Sequence, residues 1–324
     1  EAERRRLAEE QRRREEAEQR RLAEEQRRKE EAERRRLAEE QRRREEAEQR
    51  RLAEEQRRKE EAERRRLAEE QRRREEAERQ QQNMEVRIQA AQTIIDWAVA
   101  RGVPRENFPA NAQALLSRTT LDLPDLLKGR YSSGESDLPE AIGYLTNLRT
   151  LNLRGLNISN LPDSIGNLVN LQRLYLNNNS LQLILDSIGN LANLQELKLN
   201  SNSLQNLPDS IGNLVNLQEL YLNNNLLQNL PDSIGNLVNL QRLYLDNNSL
   251  QNLSDNIGKL VKLKHLDLAY NSLQTLPNSI SNLVKLNCLY LNGNRLIRLP
   301  RDVKKLQCKI YFDNFFTRIK RFFS

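Results

Sequence analysis

A 23-residue leucine period is the feature that most restricts how this chain can fold. The first full unit, LRTLNLRGLNISNLPDSIGNLVN, begins at Leu148, and seven such units in a row reach residue 308. Within a unit, apolar and polar residues alternate, which predicts a short strand in which Leu174 and Leu176 point inward and Tyr175 points outward. Because one unit cannot bury its leucines alone, we expect the units to stack into a solenoid whose strands line the concave side.

The unit matches the pattern L-x-x-L-x-L-x-x-N-x-L, so residues 138–308 resemble a leucine-rich-repeat solenoid. The resemblance implies an α/β horseshoe fold. The LPxxIGxLxNL form of the unit is similar to the intracellular, Ras-binding type of repeat, which is common in bacterial proteins that include secreted effectors of intracellular pathogens. Position 9 of the unit is predicted to bond backbone groups that are freed where the strand turns. It is occupied by Asn179, Asn202, Asn225, Asn248, Asn271 and Asn294.

Residues 1–82 form a separate segment of 15-residue repeats that begin EAERRRLAEEQRRRE. The segment is rich in Ala, Leu, Glu, Arg and Gln and contains neither Gly nor Pro, which favours a helix. Glutamate precedes arginine by four residues, as at Glu9 and Arg13, and this spacing stabilises isolated helices. A coiled coil needs apolar residues about every 3.5 positions, whereas each 15-mer carries one leucine. Two interpretations therefore remain open: a single charged helix about 120 Å long, or self-association of residues 1–79 as a weak coiled coil.

Residues 83–137 are predicted to form an N-terminal helical cap with an entry repeat, because the open ends of a solenoid expose its core. An apolar helical stripe runs through residues 84–101, and Gly102 favours its end. Trp97 is assigned to the core of the cap, and residues 120–123 to the strand of the entry repeat. The stripe consists of Val86, Ile88, Ala91, Ile94, Ile95, Ala98 and Val99.

Residues 309–324 are predicted to close the other end of the solenoid with a strand and an amphipathic helix. Ile310 and Phe312 fit the strand, and after them apolar and basic residues take opposite sides of a helix. Residues 298–324 hold eight Lys or Arg against two Asp. Three roles stay open for the helix: a cap, contact with an anionic membrane, or docking into a partner. Its apolar face consists of Phe315, Phe316, Ile319, Phe322 and Phe323.

Positions 3 and 5 of the units face outward and predict a protein-binding surface on the concave side. Tyr and Arg are favoured at protein–protein hot spots, and four of the eight tyrosines share position 5. The charges in these columns cancel, which disfavours a phosphate-binding surface and hence nucleic acid. Copying of repeats offers the alternative that the tyrosines recur without a role in binding. The predicted contact residues are Arg173, Tyr175, Glu196, Lys198, Glu219, Tyr221, Arg242, Tyr244, His265, Asp267 and Tyr290.

His265, Cys288 and Asp267 come nearest to a catalytic pattern. The first two take position 3 of adjacent units, which would place a thiol beside an imidazole with a carboxylate nearby. An open sheet offers no water-excluding pocket and no oxyanion donors, so we expect no enzyme. One His and two Cys are too few for a typical zinc site or a disulfide framework. No phosphate loop or nucleotide fingerprint occurs, so no cofactor is expected either.

The predicted function is a non-enzymatic scaffold in which a charged rod holds a protein-recognition module away from an anchor point. A helix joined to such repeats is similar to the coiled-coil-plus-repeat architecture of bacterial effectors, which implies a host protein as the ligand. The alternative is a structural or membrane-apposed protein anchored by its C-terminal helix. The sequence contains neither an apolar run long enough to span a membrane nor a secretory signal. We therefore expect a cytoplasmic location, or the interior of a host cell if the protein is an effector.

Overall fold

The computed structural model describes residues 1–100, 103–123 and 137–312. The chain divides into two compact units, Glu1–Gln81 and Gln82–Ser324. Helix α1, Ala2–Ala100, belongs to both. No helix within the described residues is long and apolar enough to cross a membrane. The helix end predicted at Gly102 and the C-terminal helix predicted to carry Phe315, Phe316, Ile319, Phe322 and Phe323 lie outside the described residues.

In the first unit every residue of α1 is exposed. The five leucines of the 15-residue repeats are 53–62% exposed. Side chains four residues apart form ion pairs, such as Arg13 Nη2 with Glu9 Oε1 at 3.4 Å and Arg58 Nη2 with Glu54 Oε1 at 2.7 Å. Exposed pairs of this kind stabilise a helix by about 0.2–0.5 kcal/mol each. The predicted helix is confirmed, and its self-association stays a prediction.

In the second unit the last turns of α1 bury one narrow face against the apolar core. The predicted stripe was too wide, since Val86 is 51% exposed and Val99 is 38% exposed. Val86 lies one turn before the first buried residue of the helix, and Val99 is rotated by about 100° from Ala98, so neither reaches the core. The buried face consists of Ala90, Ala91, Ile94, Ile95 and Ala98.

Trp97 and two short elements connect α1 to the sheet. The ring of Trp97 packs partly buried against the core, as predicted, and its Nε1 donates a hydrogen bond to Asp137 O at 3.1 Å. Helix α2, Ala112–Leu116, begins after Asn111, whose side chain accepts a hydrogen bond from Ala114 N at 2.9 Å. Strand β1, Thr120–Asp122, falls within the segment that was predicted as the entry strand.

The described residues contain a nine-stranded parallel sheet whose strands follow one another in sequence order. Each strand has three residues, and its central residue points inward: a leucine in β1 to β8 and Ile310 in β9. The constant unit length keeps the strands in register, so that Leu174 pairs with Leu197 and Leu197 with Leu220. This architecture confirms the predicted solenoid. The strands after β1 are β2 Thr150–Asn152, β3 Arg173–Tyr175, β4 Glu196–Lys198, β5 Glu219–Tyr221, β6 Arg242–Tyr244, β7 His265–Asp267, β8 Cys288–Tyr290 and β9 Lys309–Tyr311.

A short 3₁₀ helix lies between consecutive strands from β1 onward, and successive 3₁₀ helices pack on one another. Glycine allows the close approach: a Cβ atom added to Gly212 would lie 2.6 Å from Ser233 O of the next unit. These helices are Glu140–Tyr144, Asp163–Asn167, Asp186–Asn190, Asp209–Asn213, Asp232–Asn236, Asp255–Lys259, Asn278–Asn282 and Arg301–Lys305, and a further one, Arg105–Asn107, precedes α2.

The asparagine at position 9 bonds backbone groups at the strand turns, as predicted, and in doing so it links neighbouring units. Asn225 Oδ1 accepts a hydrogen bond from Leu204 N, and its Nδ2 donates to Leu199 O and Leu222 O, each at 3.0 Å. The residue before it, Asn224, has a φ of 55°, a left-handed conformation that Asn tolerates better than most residues. The turn after each of strands β2 to β7 is therefore held by a side chain from the following unit.

The final strand continues the inward pattern. Ile310 occupies the centre of β9, and Phe312 follows the strand in the place that Leu291 takes after β8. The predicted strand thus includes Ile310 but ends before Phe312, and both residues pack partly buried against the core. Tyr311 between them is paired with Tyr290 of β8, and it points outward.

Candidate functional site

The first and third residues of each strand form one partly exposed face of the sheet, which we call the strand face. All eleven predicted contact residues lie on it, in strands β3 to β8. Adjacent parallel strands place residues of the same unit position about 4.8 Å apart. Side chains from neighbouring units therefore meet along the face.

Aromatic rings on this face stack from strand to strand. Tyr221 and Tyr244 have ring centroids 4.7 Å apart and planes 7° apart, and Tyr290 and Tyr311 are at 4.4 Å and 5°. Between these pairs lies His265, whose ring is 4.6 Å from Tyr244 and 5.2 Å from Tyr290. Since the rings face one another, mainly their edges and hydroxyl groups are presented to a ligand.

The sequence did not predict that His265 and Tyr311 would belong to this stack. Asp267 interrupts the tyrosine column at position 5, and His265 at position 3 of the same strand bridges the gap. Tyr311 was missed because β9 begins 21 residues after β8 instead of 23. The signal that could have found it is the match of Lys309-Ile310-Tyr311 to the strand triplet Cys288-Leu289-Tyr290.

A lysine extends the stack toward the N-terminal strands. Lys198 Nζ lies 4.7 Å from the ring centroid of Tyr175 and 5.1 Å from that of Tyr221, within the range of cation–π attraction. The same ammonium group is 2.9 Å from Glu196 Oε1. We call the resulting series the aromatic ladder; it consists of Tyr175, Lys198, Tyr221, Tyr244, His265, Tyr290 and Tyr311.

The two glutamates of the strand face are engaged by their neighbours. Glu219 pairs with Arg242 and accepts a hydrogen bond from the Tyr221 hydroxyl at 2.7 Å. Glu196 Oε2 lies 3.8 Å from Arg173 Nε and accepts a hydrogen bond from the Tyr175 hydroxyl at 2.9 Å. These carboxylates therefore hold the ladder in place and are already compensated before any ligand arrives.

Three tyrosine hydroxyl groups of the ladder, those of Tyr175, Tyr221 and Tyr244, remain protonated. Burial, together with a hydrogen bond to Glu196, raises the pKa of Tyr175 to about 12. Burial and a hydrogen bond to Glu219 likewise raise the pKa of Tyr221, and burial raises that of Tyr244. Tyr175 and Tyr221 therefore keep their hydrogen bonds to Glu196 and Glu219 throughout the physiological pH range, and the hydroxyl group of Tyr244 keeps its proton as a donor.

His265 and Cys288 occupy paired positions of β7 and β8. The side chains of His265 and Asp267, however, interact with other groups. Burial, followed by the charge of Arg242, lowers the pKa of His265, and its Nε2 is buried without a hydrogen-bond partner. Asp267 Oδ1 accepts a hydrogen bond from Ala269 N at 3.0 Å, and burial raises the pKa of this carboxyl. His265 thus serves as a neutral ring of the ladder. Within the described ranges, no group of three His, Cys, Asp or Glu could hold a metal ion.

The family model for a leucine-rich repeat region matches residues 127–202, 178–255 and 232–310, which together exceed half of the chain. No curated protein matches the sequence. Among solved structures, a leucine-rich repeat protein of Leptospira interrogans is 38% identical, with a TM-score of 0.49, over 62% of this chain and 55% of that one.

Two plant receptors are also similar. The leucine-rich-repeat ectodomain of the membrane receptor kinase GASSHO1/SCHENGEN3 from Arabidopsis thaliana, in complex with CASPARIAN STRIP INTEGRITY FACTOR 2, is 32% identical with a TM-score of 0.50. The match covers 55% of this chain and 22% of that one. The plant peptide hormone receptor RGFR1, in complex with RGF2, is 28% identical with a TM-score of 0.44, over 54% of this chain and 34% of that one. The match thus spans about half of the Leptospira protein and less of either receptor.

Proposed function

This chain belongs to the leucine-rich repeat proteins, and from that membership we propose that it is a non-enzymatic scaffold that binds a protein through its strand face. The observation that carries the proposal is the aromatic ladder on an open sheet. Its rings are held by stacking and by the compensated glutamates, so little side-chain freedom is lost when a partner binds. Tyrosine and arginine are also the residue types that most often anchor protein interfaces.

Comparison with a solved complex supports the same class of function. The Arabidopsis ectodomain, whose repeats are similar to this chain, was determined in complex with CASPARIAN STRIP INTEGRITY FACTOR 2. The mutual stacking of Tyr221 and Tyr244, with planes 7° apart, occupies ring faces that unpaired bases would need. A protein ligand is therefore favoured over a single-stranded nucleic acid.

Affinity capture with variants of the ladder tests this proposal. The full-length chain is immobilised and exposed to bacterial and eukaryotic cell lysates, beside a variant carrying Tyr175→Ala, Tyr221→Ala and Tyr244→Ala. We expect at least one protein that is captured by the parent and reduced about tenfold or more with the variant, as for the loss of a hot spot.

A matched control carries three substitutions of exposed apolar residues away from the strand face: Val215→Ala, Val238→Ala and Val261→Ala. This control is expected to capture the partner as the parent does, and urea unfolding verifies that both variants fold. Equal capture by the tyrosine variant and the parent would remove the strand face as the binding site.

The setting of the partner is a further part of the proposal. The resemblance to effector proteins favours a host protein as the ligand and the interior of a host cell as the place of binding. Fractionation of infected cells with an antibody against this chain tests that point: signal confined to the bacterial pellet would contradict it, while leaving the strand-face proposal unaffected.

A further inference from the structure

A groove of about 580 Å³ is lined by three residues of the aromatic ladder, Lys198, Tyr221 and Tyr244, and by residues that follow the strands. It runs from Arg154, at position 7 of the first full unit, to Tyr244, at position 5 of the fifth. Four steps between parallel strands correspond to about 19 Å, the length of about six residues of extended peptide. Arginine, lysine, asparagine and tyrosine line the groove, without Asp or Glu.

Asn177 is the side chain in this groove that most clearly points to a ligand. It is 8% exposed, and its side-chain amide has no hydrogen-bond partner among the described residues. Asn225 is similarly buried at 6%, yet its amide makes hydrogen bonds to four backbone groups. The polar atoms of Asn177 are not fully buried, so its amide opens into the groove and is available to bond a group supplied from outside.

The same position in the next two units repeats the arrangement. Asn200 and Asn223 line the groove, and in the described part of the chain their side-chain amides also have no partners. With Asn177 they form a row of amides spaced by about 4.8 Å. Each amide offers two N–H donors and an acceptor oxygen, which matches the N–H and C=O groups of an extended peptide backbone.

The charge of the groove selects an anionic ligand. Arg154 is exposed, and its guanidinium group makes no ion pair within the described residues. The positive charge of Lys198 is compensated, because its Nζ lies 2.9 Å from Glu196 Oε1. The uncompensated positive charge of the groove therefore lies at Arg154. A guanidinium group binds a carboxylate through two parallel hydrogen bonds.

We propose that this groove binds an extended peptide segment whose carboxylate group pairs with Arg154 and whose backbone is held by the row of Asn177, Asn200 and Asn223. The inference rests on the proposed function and makes it more specific, since it names an acidic peptide and the groove at the border of the strand face that holds it. The carboxylate belongs either to the C-terminus of the peptide or to an Asp or Glu side chain, and the two sources share the same chemistry.

The test uses three synthetic hexapeptide mixtures with neutral residues at the randomised positions. One mixture ends in a free carboxylate, the second has an amidated C-terminus and one Glu, and the third has an amidated C-terminus and one Gln. Each is applied to the immobilised full-length chain, and the retained peptides are quantified by mass spectrometry. We expect at least one carboxylate-bearing mixture to be retained about tenfold more than the Gln mixture, as for one charge-assisted pair. Enrichment of the first or the second mixture identifies the source of the carboxylate.

Variants then locate the bound peptide. For a resynthesised retained peptide, Arg154→Gln is expected to weaken binding about tenfold or more. Arg149→Gln, an equal change of charge at an exposed residue of the same unit, is expected to leave it within about twofold. Asn177→Ala is expected to weaken binding several-fold while lowering the urea midpoint of unfolding less than Asn225→Ala does, because it removes packing of a side chain that is 8% exposed but no hydrogen bond within the described chain.

Equal retention of all three mixtures, or equal effects of Arg154→Gln and Arg149→Gln, would overturn the assignment of the groove. Binding of a ten-nucleotide oligothymidylate that depends on Arg154, without retention of acidic peptides, would overturn it in favour of nucleic acid. A captured protein that is lost with the tyrosine variant but kept by Arg154→Gln and Asn177→Ala would leave the proposed function standing and remove the groove alone.

Discussion

Two asparagines within one turn of a single unit have opposite structural roles, and this difference is testable at the scale of the residue. Asn225→Ala removes three hydrogen bonds to buried backbone groups, at Leu204, Leu199 and Leu222. We expect it to lower the free energy of unfolding by about 2–4 kcal/mol, because the backbone groups lose their partners without gaining water. Asn223→Ala, two residues earlier, is expected to change it by less than about 0.5 kcal/mol. Urea unfolding of the full-length variants measures both, and equal losses would contradict the assigned roles.

His265 predicts how stability depends on pH. Its ring lies between Tyr244 and Tyr290, and burial, followed by the charge of Arg242, lowers its pKa from 6.5, while Asp246 acts in the opposite direction. Just below pH 6.5 the unfolded chain therefore binds a proton that the folded chain does not. The free energy of unfolding is expected to fall as the pH is lowered through this window. Urea midpoints measured from about pH 8 down to the acid side of the window test the sign.

The variant His265→Phe separates this contribution from that of the neighbouring carboxyl. It keeps a ring in the ladder but carries no titrating group, so its stability is expected to vary less just below pH 6.5. Burial raises the pKa of Asp267 from 3.8, so the folded chain binds the extra proton above that value, and this group acts in the opposite sense. An unchanged pH slope in the His265→Phe variant would show that His265 is not the source of the dependence.

At the scale of the element, the part of α1 within residues 1–81 depends on exposed ion pairs. Pairs such as Arg44 with Glu40 and Arg65 with Glu61, at 2.8 and 2.7 Å, lie on a helix whose leucines are more than half exposed. Raising sodium chloride from about 0.01 M to about 1 M shortens the screening length from about 30 Å to about 3 Å. We expect the helical circular-dichroism signal at 222 nm to decrease, and the decrease to grow as the temperature is raised.

The same titration distinguishes the two interpretations of this segment. A monomeric helix loses signal independently of protein concentration, and sedimentation equilibrium is expected to return the mass of one chain. A coiled coil would gain helicity with concentration, since association buries its apolar residues. A helical signal that rises with concentration, together with the mass of two chains, would therefore contradict the single helix.

The limits of prediction from sequence also follow from the elements. Constant spacing determined the register of β2 to β8 and the role of Asn225, because a 23-residue unit has one way to bury its leucines. The aromatic ladder did not follow from spacing alone. His265 bridges the column at Asp267 through the orientation of its side chain, and Tyr311 belongs to a strand that breaks the period. The sequence did not predict the groove, because the spacing of the units does not show which groups the amide of Asn177 can hydrogen-bond.

At the scale of the whole repeat array, each unit pairs with the units on either side of it, because the nine strands follow sequence order. Removal of one complete unit should therefore allow its neighbours to form equivalent contacts. Deletion of residues 217–239 joins Asn216 to Leu240, the same Asn-Leu junction that exists at Asn216 and Leu217. The deletion would place Glu196 beside Arg242 in the manner of Glu219.

This deletion is expected to leave a folded protein with a shorter ladder. Lys198 would meet the ring of Tyr244 as it now meets that of Tyr221, at 5.1 Å from the centroid, so the ladder would remain continuous. We expect one cooperative urea transition, with an m-value lower by roughly a tenth because less surface is exposed on unfolding.

Deletion of residues 217–228 is the out-of-phase control: it removes β5 but keeps the 3₁₀ helix Asp232–Asn236, so the leucines on either side lose their register. Cooperative unfolding of the in-phase variant and its loss in the out-of-phase variant are expected, and equal behaviour of the two would show that register between neighbouring units does not hold the array together.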